Sequence, residues 1–104
     1  MEEKLKALCD KITQETRENL IKRHLGCQDN LDNAIAHFKI GNKYTKVDVG
    51  SSGKYMVDKE SNIWGIKAYG QIHKGHFYGT LDTINDYFWG DYTARKINLP
   101  DKVN

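Results

Sequence analysis

Apolar side chains recur every three or four positions at the start of the chain. Leu5, Leu8, Cys9, Ile12, Leu20 and Ile21 keep this spacing, with Thr16 in the gap, which predicts an amphipathic helix over residues 2–25. Glu2 and Glu3 at its start and Lys22, Arg23 and His24 at its end complement the helix dipole, and Gly26 fits the left-handed stop position. Such a stripe normally packs on a sheet, and a partner-binding helix is the alternative. Leu31, Ala34, Ile35 and Phe38 repeat the spacing behind Asp29 or Asn30 as cap, which predicts a second helix over 30–39 ended by Gly41. Leu81, Ile84 and Phe88 behind Thr80 predict a third over 81–89, ended by Gly90, with residues 93–104 as a tail.

Between the helices the period changes to two. Thr45, Val47 and Val49 share one face of a strand and Tyr44, Lys46 and Asp48 the other. Gly50 to Gly53 is a turn, Lys54–Val57 a short strand and Asp58–Asn62 a polar turn. Ile63–Tyr69 is a strand with Trp64, Ile66 and Ala68 on one face and Ile63, Gly65, Lys67 and Tyr69 on the other; His76–Tyr78 follows a turn at Lys74-Gly75. The expected fold is a single α+β domain: an N-terminal helical pair, an antiparallel three- to four-stranded meander over about 43–78, and a short C-terminal helix.

Net charge over the 104 residues is only +2, too mild to point to nucleic acid by itself. The distribution says more. Residues 38–78 carry seven lysines against Asp48, Asp58 and Glu60, whereas the segments on either side are each slightly acidic. The positive excess therefore sits on the predicted sheet. Two cysteines, Cys9 and Cys27, with a charged amphipathic N-terminus unlike a secretory signal, point to a reducing, cytoplasmic setting. No apolar run approaches a membrane span of roughly 18 residues, so no membrane partner is expected.

Catalytic signatures are hard to find. Gly50-Ser51-Ser52-Gly53-Lys54 has two residues between its glycines, Tyr55 after the lysine and a strand after the turn, so it departs from a phosphate-binding loop on three counts. It also sits between strands, unlike the GxxG loop that clamps a nucleic-acid backbone between helices. Ser51, Ser52 and Ser61 are turn residues without a base beside them. His24 with Cys27, and His73 with His76, form two pairs with zinc-ligand spacing, but the 45 residues between the pairs exceed the gap of common zinc ribbons. Neither enzymatic activity nor a metal or other cofactor is expected.

The candidate binding residues are Tyr44, Lys46, Lys54, Tyr55, Lys67, Tyr69, Lys74, His76 and Tyr78, all on the predicted meander. Lysines neutralise phosphates and tyrosines stack on unpaired bases, which is how sheet-based single-strand binders work. The same alternation also fits a solvated face with tyrosines packed at its rim, or a protein interface.

The segment SSGKYMVDKESNIWGIKAYG, followed by HFYGTLDTI, resembles small uncharacterised proteins of phages and other mobile elements. The shared features lie at Ser52–Lys59, Ile63–Gly70 and Gly79–Ile84, within a span of about a third of the chain. The resemblance implies a compact viral accessory protein working in a host cytoplasm, either a nucleic-acid binder or an inhibitor of a host defence protein of anti-CRISPR or anti-restriction type. It carries over no functional residue. DNA mimicry is disfavoured by the basic balance. An inhibitor would bind a host protein through the same face and the region of Trp64 and Trp89. An exposed edge strand with Tyr44 or Tyr55 would also allow a homodimer.

Overall fold

The structure, a computed structural model, describes residues 2–68, 71–91 and 94–97. It is α+β: one long helix, a five-stranded antiparallel sheet and a small two-stranded sheet. Helix α1 (Glu2–Lys22) buries Leu5, Leu8, Cys9 and Ile12, the first half of the predicted stripe. It ends three residues before the predicted bound. His24, at φ 60°, takes the left-handed stop position assigned above to Gly26, while the Leu25 N–H donates to Leu20 O and the His24 N–H to Ile21 O.

The predicted helical pair is not formed. Helix α2 (Gln28–Asp32) has only five residues, and strand β1 (Ala36–Ile40) occupies the second part of the segment read as helix 30–39. Leu31, Ala34, Ile35 and Phe38 satisfy a helical period, but the residues from Ala34 onward also alternate. Ala34 and Ala36 are buried and Phe38 half-buried, while Ile35, His37 and Lys39 are exposed. Pairing along the whole of β1 with its neighbour decides in favour of the strand.

Strands β2 (Thr45–Val49), β3 (Ser52–Val57), β4 (Asn62–Ala68) and β5 (Gln71–Thr80) follow, and all five lie side by side in chain order. The meander thus has one strand more than expected. Val47, Tyr55, Val57 and Ile63 form the sheet side of the core with the apolar residues of α1.

The predicted helix over 81–89 is replaced by a turn, a single 3-10 turn at Ile84–Asp86 and strand β6 (Tyr87–Phe88), which pairs with β7 (Arg95–Lys96). The hydroxyls of Thr80 and Thr83 hold the turn: Thr83 Oγ1 accepts from the Thr80 N–H and Thr80 Oγ1 from the Asp82 N–H. Such local bonds compete with helix, and aromatic residues favour extended backbone. The described part of the predicted tail is therefore ordered structure, with Ala94 in the core.

Trp89 closes the core over α1. Its N–H donates to Glu15 Oε1 at 2.8 Å, its carbonyl accepts from Thr16 Oγ1, and its indole Nε1 donates to Ile84 O at 2.9 Å. Asn19 donates to Gly90 O. A Cβ at Gly90 would lie 2.6 Å from the Glu15 carbonyl oxygen, so only glycine lets the chain pass this close to the helix. The polar gap in the helix stripe at Thr16 is thus where the C-terminal segment crosses. Trp89→Ala is expected to cost about 3–5 kcal/mol, a large part of the stability of a domain this small. Urea unfolding followed by far-UV circular dichroism measures it.

Candidate functional site

The face of the sheet turned away from α1 carries one continuous row. Lys39 pairs with Lys46, Lys46 with Met56, Met56 with Trp64 and Trp64 with Phe77, one residue from each of the five strands. Two adjacent lysines occupy one end and three apolar side chains the other. Met56 is 2% exposed, Trp64 half-buried and Phe77 48% exposed. The Trp64 and Phe77 rings are 5.1 Å apart and tilted. Asp48, on the same face, turns to His37 at 3.7 Å.

Asp58 fixes Trp64. One carboxylate oxygen accepts from the N–H groups of Glu60 and Asn62, and the other from Asn62 Nδ2 and Trp64 Nε1 at 3.0 Å. Ser61, at φ 71°, completes the β3–β4 turn. Burial raises the Asp58 pKa, but the hydrogen bonds from Trp64, Asn62 and Glu60 outweigh it, and the carboxyl is held below its ordinary 3.8. A depressed folded-state pKa contributes stability above the unfolded value, and that stability is lost as pH falls through the folded one. Asp58→Ala should therefore lower stability by about 1–2 kcal/mol at neutral pH. The gap from wild type should close as pH drops below about 4, and Trp64 emission should change; equilibrium unfolding across pH with fluorescence detection checks both.

The β4–β5 hairpin is strongly bulged. Trp64 pairs with Phe77 but the next residue, Gly65, pairs with His73, so Lys74, Gly75 and His76 fall between two adjacent rungs. His73 and His76 consequently stack, with ring centroids 4.0 Å apart and planes 7° from parallel. His73 Nδ1 accepts from the Gly75 N–H. A Cβ at Gly65 would lie 2.8 Å from that of His76, so the glycine admits the bulge.

The bulged end of the hairpin lies beside the β1–β2 turn. Lys43, Lys67, Lys74, Tyr44, His73 and Gln71 line a groove of about 530 Å³, and among the described residues no Asp or Glu lines it. Lys43 Nζ sits 5.5 Å from the centroid of the Tyr44 ring. A second recess of about 310 Å³ is lined by Lys54, His76, Tyr78 and Ser52 among others, and burial lowers the Lys54 pKa.

Of the nine residues expected to bind, Tyr44, Lys67 and Lys74 share the first groove, and Lys54, His76 and Tyr78 share the second. Lys46 lies in the five-strand row. The nine do not form one face. Tyr55 belongs to the core: it is 2% exposed, and its ring meets those of Tyr78 and Trp89 edge-on at 5.2 and 5.3 Å. Burial, with a smaller contribution from Tyr78, pushes its phenol pKa well above the ordinary value against a hydrogen bond with the Ala94 backbone. Trp89 is likewise buried and cannot form a partner surface with Trp64. Tyr69 lies outside the described residues. Lys39, Lys43 and Phe77 complete the surface and are not among the nine: Lys39 falls in the segment whose spacing mimics a helix, and alternation alone does not say whether Phe77 or Tyr78 faces out.

Among the described residues no group of three or more His, Cys, Asp or Glu side chains is placed to hold a metal ion. Cys9 and Cys27 are both free; Cys9 is buried, and burial followed by the charge of Asp10 pushes its thiol up to about 11. Among the described residues no helix is long and apolar enough to cross a membrane. Compared with family models, curated proteins and solved structures, the chain matches none of them.

Proposed function

We propose that this chain is a non-enzymatic accessory protein, of the phage type its sequence resembles, that binds nucleic acid through the lysine-lined groove between the β4–β5 hairpin and the β1–β2 turn. The carrying observation is the convergence of Lys43, Lys67 and Lys74 on one groove that, among the described residues, no carboxylate lines. Residues distant in sequence supply one sign of charge to one concave surface, which concentrates a polyanion there. Tyr44 and His73 add ring faces and Gln71 an amide. Phosphate neutralisation releases counterions, so binding weakens as salt rises.

Oligonucleotide affinity measured by fluorescence anisotropy over a salt series tests this. Affinity should be highest at low salt, and replacing Lys43, Lys67 and Lys74 by alanine should flatten the log–log salt slope by about 0.7–0.9 for each phosphate no longer neutralised. Binding that is absent at low salt, or insensitive to salt, would overturn the reading.

A second reading, the inhibitor of a host defence protein, draws on a different surface. Ile21 and Ile35 are 59% and 44% exposed and line a groove beside Arg17 and Glu18, where α1 passes β1. A protein partner would cover such apolar side chains. Capture from a bacterial lysate, with and without nuclease, separates the two readings. A partner that survives nuclease and is lost in Ile21→Glu supports inhibition; one that disappears with nuclease supports nucleic-acid binding.

A further inference from the structure

Resting on the nucleic-acid reading, we propose that the ligand is single-stranded, with an unpaired base stacked on Phe77 and the strand running from there to the lysines. Phe77 lies on edge strand β5, in the row that leads to Lys46 and Lys39. One side of its ring is packed on Trp64, and 48% of the residue remains accessible, a large aromatic surface already held in place. Trp64 is itself anchored by its indole N–H to Asp58, whose two oxygens are engaged by four N–H donors. The platform is therefore ordered before any ligand arrives, which keeps the entropy cost of binding low.

Charge complementarity selects the occupant. An apolar platform alone would suit a protein. This one is flanked by lysines on two sides: Lys74 in the bulge three residues before Phe77, and Lys46 three strands away, about 14 Å at ordinary strand spacing. A strand laid across the sheet meets a ring face at one end and cations at the other, the pairing that single-stranded nucleic acid offers and a duplex does not. In a duplex the base faces are stacked on one another and are closed to Phe77; only groove edges and the sugar-phosphate backbone remain accessible.

Titration of tryptophan fluorescence with a short oligothymidylate, and with a duplex of the same length, tests this at low salt. Trp89 is buried, so a ligand-dependent change in emission reports Trp64. The single strand should quench emission and bind about tenfold more tightly than the duplex, and Phe77→Leu, which keeps apolar bulk without a ring face, should remove about that factor. Trp64→Phe should abolish the quenching, which assigns the signal to Trp64. Equal affinity for duplex and single strand without a change in emission would overturn the inference and leave the groove reading standing. Phe77→Leu binding the single strand like wild type would overturn it in the same way. Failure of both ligands to bind would overturn the groove reading as well.

Discussion

The indole of Trp89 sits between the sheet and the main chain at Ile84, with its backbone bonded to Glu15 and Thr16 of α1. The rest of the fold depends on this closure. The buried residues of α1 end at Ile12, and beyond it the half-buried positions are polar apart from Leu20. A single helix so divided cannot seal the face presented by Val47, Tyr55, Val57 and Ile63. The C-terminal segment completes the seal, and Glu15, Thr16 and Asn19 give its backbone the partners that a buried chain requires. Aromatic contacts then fix the geometry: Tyr55 meets both Trp89 and Tyr78 edge-on, the arrangement preferred by ring quadrupoles.

Because α1 and the C-terminal segment pack on the same side, the other side of the sheet must supply its own cover. It does so within the sheet. Met56 is nearly inaccessible although it points away from α1, with Lys46 and Trp64 on either side of it in the row. Trp64 cannot swing away from this position without leaving the Asp58 carboxylate. A small second cluster is thereby organised by one turn, and its uncovered end is Phe77.

Much of this is legible in the sequence, and the departures have distinct physical causes. The α1 stripe and the alternation in β2 and β4 are local, and both emerge close to where the pattern places them. Residues 30–40 satisfy two periods at once, and only pairing with β2, a tertiary fact, chooses between them. Tyr55 goes to the core because it alternates regularly with Val57 and pairs with Val47, all on the helix side; the extra residue Lys54, between the rungs Val47–Tyr55 and Asp48–Gly53, disturbs the alternation only toward Gly53. Tyr44 and Lys67 face opposite ways by strand pattern, yet line one groove because of the bulge near the end of the hairpin. No local pattern announces that convergence. The Asp58–Trp64 bond is within reach of sequence reasoning, since a turn carboxylate and an indole six residues apart flank a short hairpin.

The bulge at Lys74, Gly75 and His76 also answers a general problem of sheets. Strand β5 is an edge, and an edge strand invites pairing with another chain. A bulge with an exposed lysine disrupts such an edge, so Lys74 and Gly75 are explained by protection alone. Protection does not explain why the same distortion stacks His73 on His76, or why it brings Lys67 and Lys74 beside Lys43 and Tyr44. Like charges gathered on one concave surface repel each other and gain nothing from being there in the free protein. A polyanion bound as proposed would make that arrangement favourable, and the distortion that guards the edge would then also shape the groove.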